Sequence, residues 1–165
     1  MTEITHKGNP VTTIGDLPRV GEQAPAFTLV GGDLSDLTLD ELAGRRVILN
    51  IFPSIDTGVC ATSVRTFNQI AASLDDTTVV NVSADLPFAL NRFCGAEGID
   101  NALVGSTFRS SFAKDYGTRM LDGALAGLHA RSVVVVDTDG TVLHSQMVPE
   151  IGQEPDYDAA VAALS

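Results

Sequence analysis

The sequence predicts an α/β fold in which a central mixed β-sheet carries helices on both faces. Short apolar segments, of a length typical of buried strands, alternate along the chain with longer segments whose apolar residues recur at helical spacing. The last two predicted strands are joined by Asp139-Gly140, and Asp-Gly between apolar segments is a strong signal for a β-hairpin. Because a hairpin is antiparallel and strand-helix-strand units are parallel, the sheet is predicted to be mixed.

The first 17 residues are predicted to form a small hairpin that precedes this sheet. Turn signals at residues 8–10 and 15–16 flank short extended segments at 3–7 and 11–14. No linker, repeat or low-complexity segment divides the chain that follows. We therefore expect residues 1–165 to form a single domain, with residues 1–17 as its N-terminal extension.

The remaining elements are predicted in the order strand, helix, strand, helix, hairpin, helix. Residues 46–52 and 78–83 are apolar almost throughout, which indicates strands buried on both faces. Helices are predicted at 59–74, where the apolar residues have helical spacing, and at 86–93, where Pro87 stands in the first turn and Gly95 follows the end. Further strands are predicted at 26–30, 103–104, 131–137 and 141–148, and helical segments at 39–42, 110–114 and 157–164. This order is that of a thioredoxin-like fold, although the apolar pattern also allows a flavodoxin-like sheet.

Charge and composition exclude several classes of function. Ten Lys and Arg residues stand against 21 Asp and Glu residues, which gives a net charge of −11. Binding to nucleic acid or to an anionic membrane surface requires clustered basic residues, so neither partner is expected. No apolar segment reaches the roughly 18 residues of a membrane helix, and the N-terminus lacks the pattern of a signal peptide. The expected location is the cytoplasm.

Cys60 is the first candidate for chemistry. The chain has two cysteines, and in a reducing compartment such a pair is more often reactive than structural. Cys60 follows a predicted buried strand and opens the 59–74 helix, where unpaired backbone N–H groups and the helix dipole favour a thiolate. The thiolate is the nucleophilic form of cysteine. A small buried apolar residue is the alternative interpretation of Cys60.

Three residues could support chemistry at Cys60. Thr57, three residues earlier, could cap the helix or donate a hydrogen bond to a group bound at the sulfur. Pro53 could exclude water or simply end the strand, and Arg131 could reach the site from the start of the 131–137 strand or lie on the surface.

Cys94 stands 34 residues after Cys60, a spacing that excludes a C-x-x-C dithiol and does not suggest a zinc site.

Other active-site patterns are weak or absent. His129 and His144, expected to be exposed or half-buried, could pair with Cys60 in a Cys–His hydrolase, but nothing in the sequence singles out either one as a base. Neither of the glycine-rich loops that bind phosphate groups occurs in the chain.

Residues 53–60 carry a P-x-x-x-T-x-x-C pattern that resembles the active-site signature of the peroxiredoxins. The longer segment 52–65 is similar to that of bacterial thiol peroxidases, a subfamily of atypical two-cysteine peroxiredoxins. The likeness continues through Ser-Ala-Asp-Leu-Pro-Phe-Ala at 83–89 and Arg-Phe-Cys-Gly-Ala-Glu-Gly at 92–98, and then through segments 148–151 and 154–157. It covers essentially the whole chain.

This resemblance implies a role for each candidate residue. Cys60 matches the peroxidatic cysteine, which is oxidised to sulfenic acid, and Cys94 matches the resolving cysteine that forms a disulfide with it. Thr57 and Arg131 match residues that hold the thiolate and the peroxide, and Pro53 matches the shielding proline. The implied enzyme is a thioredoxin-fold homodimer without metal or other cofactor, which reduces hydrogen peroxide and organic hydroperoxides in the cytoplasm. Thioredoxin would recycle it in antioxidant defence.

Two other classes of function stay open at this point. In a redox sensor, oxidation of Cys60 and Cys94 would change a binding surface and consume about one peroxide per chain. In a structural thioredoxin-like domain the cysteines would be incidental. The joint presence of Pro53, Thr57, Cys60 and Arg131 favours the enzyme.

Overall fold

A seven-stranded mixed sheet forms the centre of the computed structural model, which describes residues 1–165. Its strands are β3 (Thr28–Gly31), β4 (Asp36–Thr38), β5 (Arg46–Ile51), β6 (Thr77–Ser83), β7 (Leu103–Ser106), β8 (Ser132–Val136) and β9 (Val142–Met147). Their spatial order is β4-β3-β7-β6-β5-β8-β9. The pairs β5–β6 and β6–β7 are parallel and the other four are antiparallel, which confirms the mixed sheet and excludes the flavodoxin-like alternative.

The N-terminal hairpin is also confirmed. Strands β1 (Glu3–His6) and β2 (Asn9–Thr12) pair antiparallel and form a separate two-stranded sheet. The helices are α1 (Gly58–Ala72), α2 (Pro87–Glu97), α3 (Phe112–Asp115) and α4 (Tyr157–Ala162), with a short 3-10 helix at Asp40–Leu42. None of these helices combines the length and apolarity that crossing a membrane requires.

The central strands are buried on both faces, as their apolar sequences predict. Successive side chains of a strand point to opposite faces, so each strand contributes to two clusters of buried side chains. One cluster includes Leu49, Ile51, Val80, Val82 and Val134 with Phe112 and Tyr116, and the other includes Ile48, Val79, Val133 and Val135 with Phe67 and Ala160. The second cluster fixes α1 against the sheet through Phe67, which is fully buried.

The largest difference from the predicted boundaries concerns α2. It was expected to end at residue 93, before Gly95, but it continues through Gly95 to Glu97. Gly98 ends the helix because it adopts the left-handed conformation (φ +66°) that glycine tolerates without strain, and the backbone N–H of Ile99 donates to Cys94 O. Cys94 therefore lies inside α2 and not at its end.

Strand β4 was not predicted, because three residues that are exposed or only partly buried give no measurable alternation. Strand β7 is two residues longer than expected, since Gly105 pairs with Gly31 of β3 although neither glycine contributes to an apolar pattern. The other element boundaries lie within two residues of the predicted ones.

Candidate active site around Cys60

The fold brings Cys60 and Arg131 to the same edge of the sheet. Strand β5 ends at Ile51, and a short loop leads from it into α1, where Cys60 is the third residue. Strand β8 runs antiparallel to β5 with Ser132 opposite Ile51, so the residue before Ser132 lies beside the start of α1. The first-turn N–H groups of a helix have no partner within the helix, and they supply partial positive charge at this edge.

The side chain of Arg131 is held in contact with the sulfur of Cys60. Its Nη2 donates to Cys60 Sγ at 3.3 Å and its Nε donates to Ile151 O at 3.0 Å. Its Nη1 has no hydrogen-bond partner, although Arg131 is only 1% exposed. The interpretation of Arg131 as a surface residue is therefore wrong. Leaving a buried donor unpaired costs about 1–3 kcal/mol, which a bound group that accepted from Nη1 would recover.

The guanidinium of Arg131 is a buried positive charge without a carboxylate partner. None of the four ion pairs in the structure includes it. Arginine stays protonated at all ordinary pH values, and a buried charge is costly unless an opposite charge compensates it. A negative charge on the sulfur of Cys60, which is itself fully buried, would provide that compensation.

Thr57 and Pro53 line a cavity of about 330 Å³ together with Arg131. Thr57 occupies the N-cap position of α1, but its side chain makes no capping hydrogen bond, so the capping interpretation is wrong. Its hydroxyl donates to Ser54 O at 3.1 Å. The threonine oxygen keeps its lone pairs and can accept a hydrogen bond, whereas its proton is already used.

Cys94 belongs to the surroundings of Cys60 but not to this cavity. Both cysteines are free thiols. Cys94 is half-buried and packs against the apolar cluster that contains Cys60, Phe52 and Leu90. It borders a second cavity, of about 360 Å³, beside Asn91. Burial raises the pKa of the Cys94 thiol above its ordinary value, which favours the neutral thiol at this position.

Two carboxylates near the site were not recognised in the sequence. Glu150 accepts from Thr5 Oγ1 at 3.2 Å, from the backbone N–H of Gly8 at 3.0 Å and from that of Gly152 at 2.8 Å. These hydrogen bonds, the one from Gly152 first, lower the pKa of Glu150. The carboxylate thereby ties the N-terminal hairpin to the segment whose Ile151 carbonyl holds Arg131. The second carboxylate, Asp85, binds the loop before α1.

The histidines do not form a Cys–His pair with Cys60. His129 is buried, contrary to expectation, and both ring nitrogens bond threonine hydroxyls: Nε2 with Thr107 Oγ1 at 2.8 Å and Nδ1 with Thr118 Oγ1 at 2.7 Å. Neither it nor His144, on β9, lines the cavity with Arg131. The hydrolase hypothesis is therefore wrong. No three His, Cys, Asp or Glu side chains form a group that could hold a metal ion.

Comparisons with known proteins agree with this geometry. Residues 19–161 match the Redoxin family. The chain is 57% identical over 164 residues to the thiol peroxidases of Mycobacterium tuberculosis (strain ATCC 25618 / H37Rv) and Mycobacterium bovis, with 99% of each chain covered. A peroxiredoxin-like protein from Aquifex aeolicus superposes with a TM-score of 0.93 at 40% identity, covering 98% of this chain and 95% of that one. A thiol peroxidase from Chromobacterium violaceum (TM-score 0.91, 23% identity, 98% and 94% covered) shares the fold.

Proposed function

We propose, from the premise that this chain belongs to the Redoxin family and is a peroxiredoxin-type thiol peroxidase, that it reduces hydrogen peroxide and organic hydroperoxides through Cys60. One observation carries the proposal: a buried guanidinium contacts the Cys60 sulfur through Nη2 and leaves Nη1 free. A peroxide oxygen bound at Nη1 would lie beside the nucleophile. The products are water from hydrogen peroxide, and an alcohol from an organic hydroperoxide.

In the first step the Cys60 thiolate attacks one oxygen of the peroxide and the O–O bond breaks. The sulfur gives up two electrons, takes the OH group and becomes sulfenic acid, while the leaving oxygen takes a proton from water and departs as water or alcohol. Negative charge moves from the sulfur to the leaving oxygen. Arg131 can stabilise the negative charge at both atoms, because its Nη2 bonds the sulfur and its Nη1 is free to bond the oxygen.

Thr57 and Pro53 would complete the peroxide site. Thr57 Oγ1 has its proton on Ser54 O, so we propose that it accepts the hydrogen bond of the peroxide O–H. Pro53 offers no backbone N–H and limits water near the sulfur. The same cavity has apolar walls at Val59, Leu125 and Ile151, which supports organic hydroperoxides as substrates beside hydrogen peroxide.

In the second step Cys94 resolves the sulfenic acid. The Cys94 sulfur attacks the Cys60 sulfur, an S–S bond forms and the sulfenic oxygen leaves as water. The raised pKa of buried Cys94 slows this attack while α2 stays folded. Local opening of α2 would expose Cys94 to water, remove the cost of desolvation and bring the two sulfur atoms together.

Thioredoxin is the reductant that we propose for the resulting disulfide. Its dithiol would supply two electrons and two protons, return both cysteines to thiols and become a disulfide itself. Every electron in this cycle comes from sulfur, so the proposal includes no metal or other cofactor. We further propose that the chain acts as one domain in a cytoplasmic homodimer, in antioxidant defence and redox homeostasis. The family supports this assignment.

An assay that couples NADPH, thioredoxin reductase and thioredoxin to this protein tests the proposal. We expect continuous NADPH oxidation with hydrogen peroxide and with cumene hydroperoxide, and none with Cys60→Ser, because an alcohol hardly ionises near neutral pH. Consumption of only one peroxide per chain would indicate a redox sensor. Continued turnover by Cys60→Ser would exclude Cys60 as the nucleophile.

A further inference from the structure

The carboxylate of Asp85 joins the segments that lead into the two helices bearing the cysteines. Asp85 lies two residues after β6 and two residues before α2, the helix of Cys94. Its Oδ2 accepts from the backbone N–H of Ile55 at 2.7 Å and from Ser83 Oγ at 2.6 Å, and its Oδ1 accepts from Ser54 Oγ at 2.9 Å. Ser106 Oγ donates to the Asp85 carbonyl. Asp85 is thus fixed to the end of the sheet and grips the loop that opens α1.

The loop that is hydrogen-bonded to Asp85, residues 54–57, sets the position of the first turn of α1. Ser54 O accepts both the hydroxyl of Thr57 at 3.1 Å and its backbone N–H at 3.2 Å, and Ser54 Oγ accepts the N–H of Asp56 at 3.2 Å. Thr57 is the N-cap of α1, and its carbonyl accepts the N–H of Ala61. A displacement of Ser54 would therefore shift Thr57 and the turn that holds Cys60.

Two ion pairs also connect α1 and its loop with α2, but they are exposed. Arg92 lies 3.4 Å from Asp56, and Arg65 lies 2.8 Å from Glu97. Exposed pairs contribute about 0–1 kcal/mol because water screens them. Asp85 is half-buried and its carboxylate accepts three hydrogen bonds, which is the stronger arrangement.

We infer that Asp85 is a positioning residue for the peroxide reaction, which holds the Cys60 turn in its reactive place and delays its movement toward Cys94. The inference rests on the proposed function. Asp85 acts through Ser54 and Thr57 and touches neither sulfur nor peroxide. The hydrogen bonds of Asp85 have two opposed effects. They speed the attack of Cys60 on the peroxide, and they slow formation of the Cys60–Cys94 disulfide.

The Asp85→Asn variant separates these effects. An amide has only one acceptor atom. Its oxygen can keep the bonds from the Ile55 N–H and from Ser83 Oγ, but its NH₂ group then faces the Ser54 hydroxyl, which has to turn from donor to acceptor. Hydrogen bonds to a neutral amide are roughly half as strong as those to a carboxylate, so we expect the rate constant for peroxide to fall about tenfold. The fraction of Cys60 over-oxidised to sulfinic acid at high peroxide should fall as well, because the loosened turn reaches Cys94 sooner. Asp56→Asn is the matched control, since it makes the same change of side chain in the loop that Asp85 holds but removes only an exposed ion pair.

Three measurements test the inference on the whole protein: hydrogen exchange of the reduced form, the single-turnover rate with hydrogen peroxide, and the sulfinic fraction by mass spectrometry. Asp85→Asn should raise exchange at residues 57–64, lower the rate and lower the sulfinic fraction. Asp56→Asn should match the wild type in all three. Ser54→Ala deletes the donor to Asp85 Oδ1 and the acceptor of the exposed Asp56 N–H. If Asp85→Asn folds poorly, Ser54→Ala should show the same three changes at smaller size.

Unchanged exchange at residues 57–64 in both the Asp85 and Ser54 variants would overturn the inference, and so would raised exchange with an unchanged rate. A lower rate with an unchanged sulfinic fraction would indicate general destabilisation and overturn it too. The exchange experiment needs no peroxide. It reports on how firmly Asp85 holds the first turn of α1, even if the wild-type protein proves inactive. Absence of wild-type turnover is the separate result that rejects the proposed function.

Discussion

The Nη2 atom of Arg131 lies 3.3 Å from the Sγ atom of Cys60, although 71 residues separate them in the chain. The antiparallel pairing of β5 with β8 creates this contact, because Ser132 stands opposite Ile51 and both lie at one edge of the sheet. Ile151 O orients the guanidinium from the other side through Nε. The charge of Arg131 is therefore aimed at the sulfur by the sheet register and by one backbone carbonyl.

Arg131→Lys should lower the rate constant for peroxide by about 10²-fold, in the range measured for loss of one transition-state donor elsewhere. A lysine keeps the charge, but its single nitrogen cannot bond Ile151 O, the Cys60 sulfur and a peroxide oxygen in the fixed geometry of a guanidinium. Stopped-flow kinetics with hydrogen peroxide measure this rate. The exposed Arg109→Lys serves as control and should keep the wild-type rate. An Arg131→Lys protein as fast as that control would show that the free Nη1 has no part in the reaction.

Cys94→Ser should reduce one equivalent of peroxide and then stop. Its Cys60 sulfenic acid has no thiol partner in the chain, so it persists and is oxidised further to sulfinic acid at high peroxide. Quenched-flow peroxide consumption combined with mass spectrometry follows both events. Steady cycling of this variant with thioredoxin would reject Cys94 as the resolving residue.

The sequence predicts the position of Cys60 well and that of Arg131 poorly, for physical reasons. An apolar strand followed by a helix of regular spacing is a local signal, and it suffices to locate the cysteine at the start of α1. The burial of Arg131 depends on the register between β5 and β8, which no local pattern encodes. The same holds for Gly31 and Gly105, whose pairing extends β7 without any apolar residue.

The end of α2 shows a different limit. Gly95 and Gly98 are equally good stop signals in the sequence, and only the backbone conformation distinguishes them, since Gly98 alone is left-handed. The sequence gives no signal for Asp85, because a single acidic residue after a strand is common. Its hydrogen bonds to Ser54 and Ile55 come from a loop 30 residues earlier, and they are visible only in three dimensions.

Acid should destabilise the fold through His129. Burial, with a smaller contribution from the nearby Arg119 charge, lowers the pKa of His129 to about 4, while the charge of Asp85 acts in the opposite direction. An unfolded histidine titrates near 6.5, so between pH 6.5 and 4 the unfolded state binds the proton more readily. The contribution of neutral His129 to the free energy of unfolding is complete above about pH 6.5 and is lost as the pH falls toward 4. It corresponds to about 3 kcal/mol.

His129→Gln isolates this contribution because glutamine does not titrate. The free energy of unfolding, measured in urea at pH 7.5 and at pH 4.5, should fall by about 2–3 kcal/mol more in the wild type than in the variant. Equal losses in the two proteins would mean that His129 is not held neutral in the folded state.

Oxidation to the disulfide should open α2 more than α1. A disulfide requires Cα atoms within roughly 7 Å, whereas reduced Cys60 is fixed by Arg131 and Cys94 borders a different cavity. Helix α1 buries six residues, but α2 buries only Pro87 and Leu90 and contains Gly95. Elements with few buried contacts open at the lowest cost, so α2 is the helix expected to yield, together with the first turn of α1.

Hydrogen exchange on the reduced and the peroxide-oxidised protein tests this expectation. Amides at 86–97 should lose most of their protection on oxidation, and those at 59–64 should lose part of it. The rest of α1, the central strand β5 and the strand β8 should keep theirs. Cys94→Ser treated with one equivalent of peroxide is the matched control, since it reaches the sulfenic acid without a disulfide and should show no opening. Equal protection of α2 in both redox states would mean that the two sulfur atoms already lie within bonding distance, because the covalent bond would then form without any displacement of the backbone.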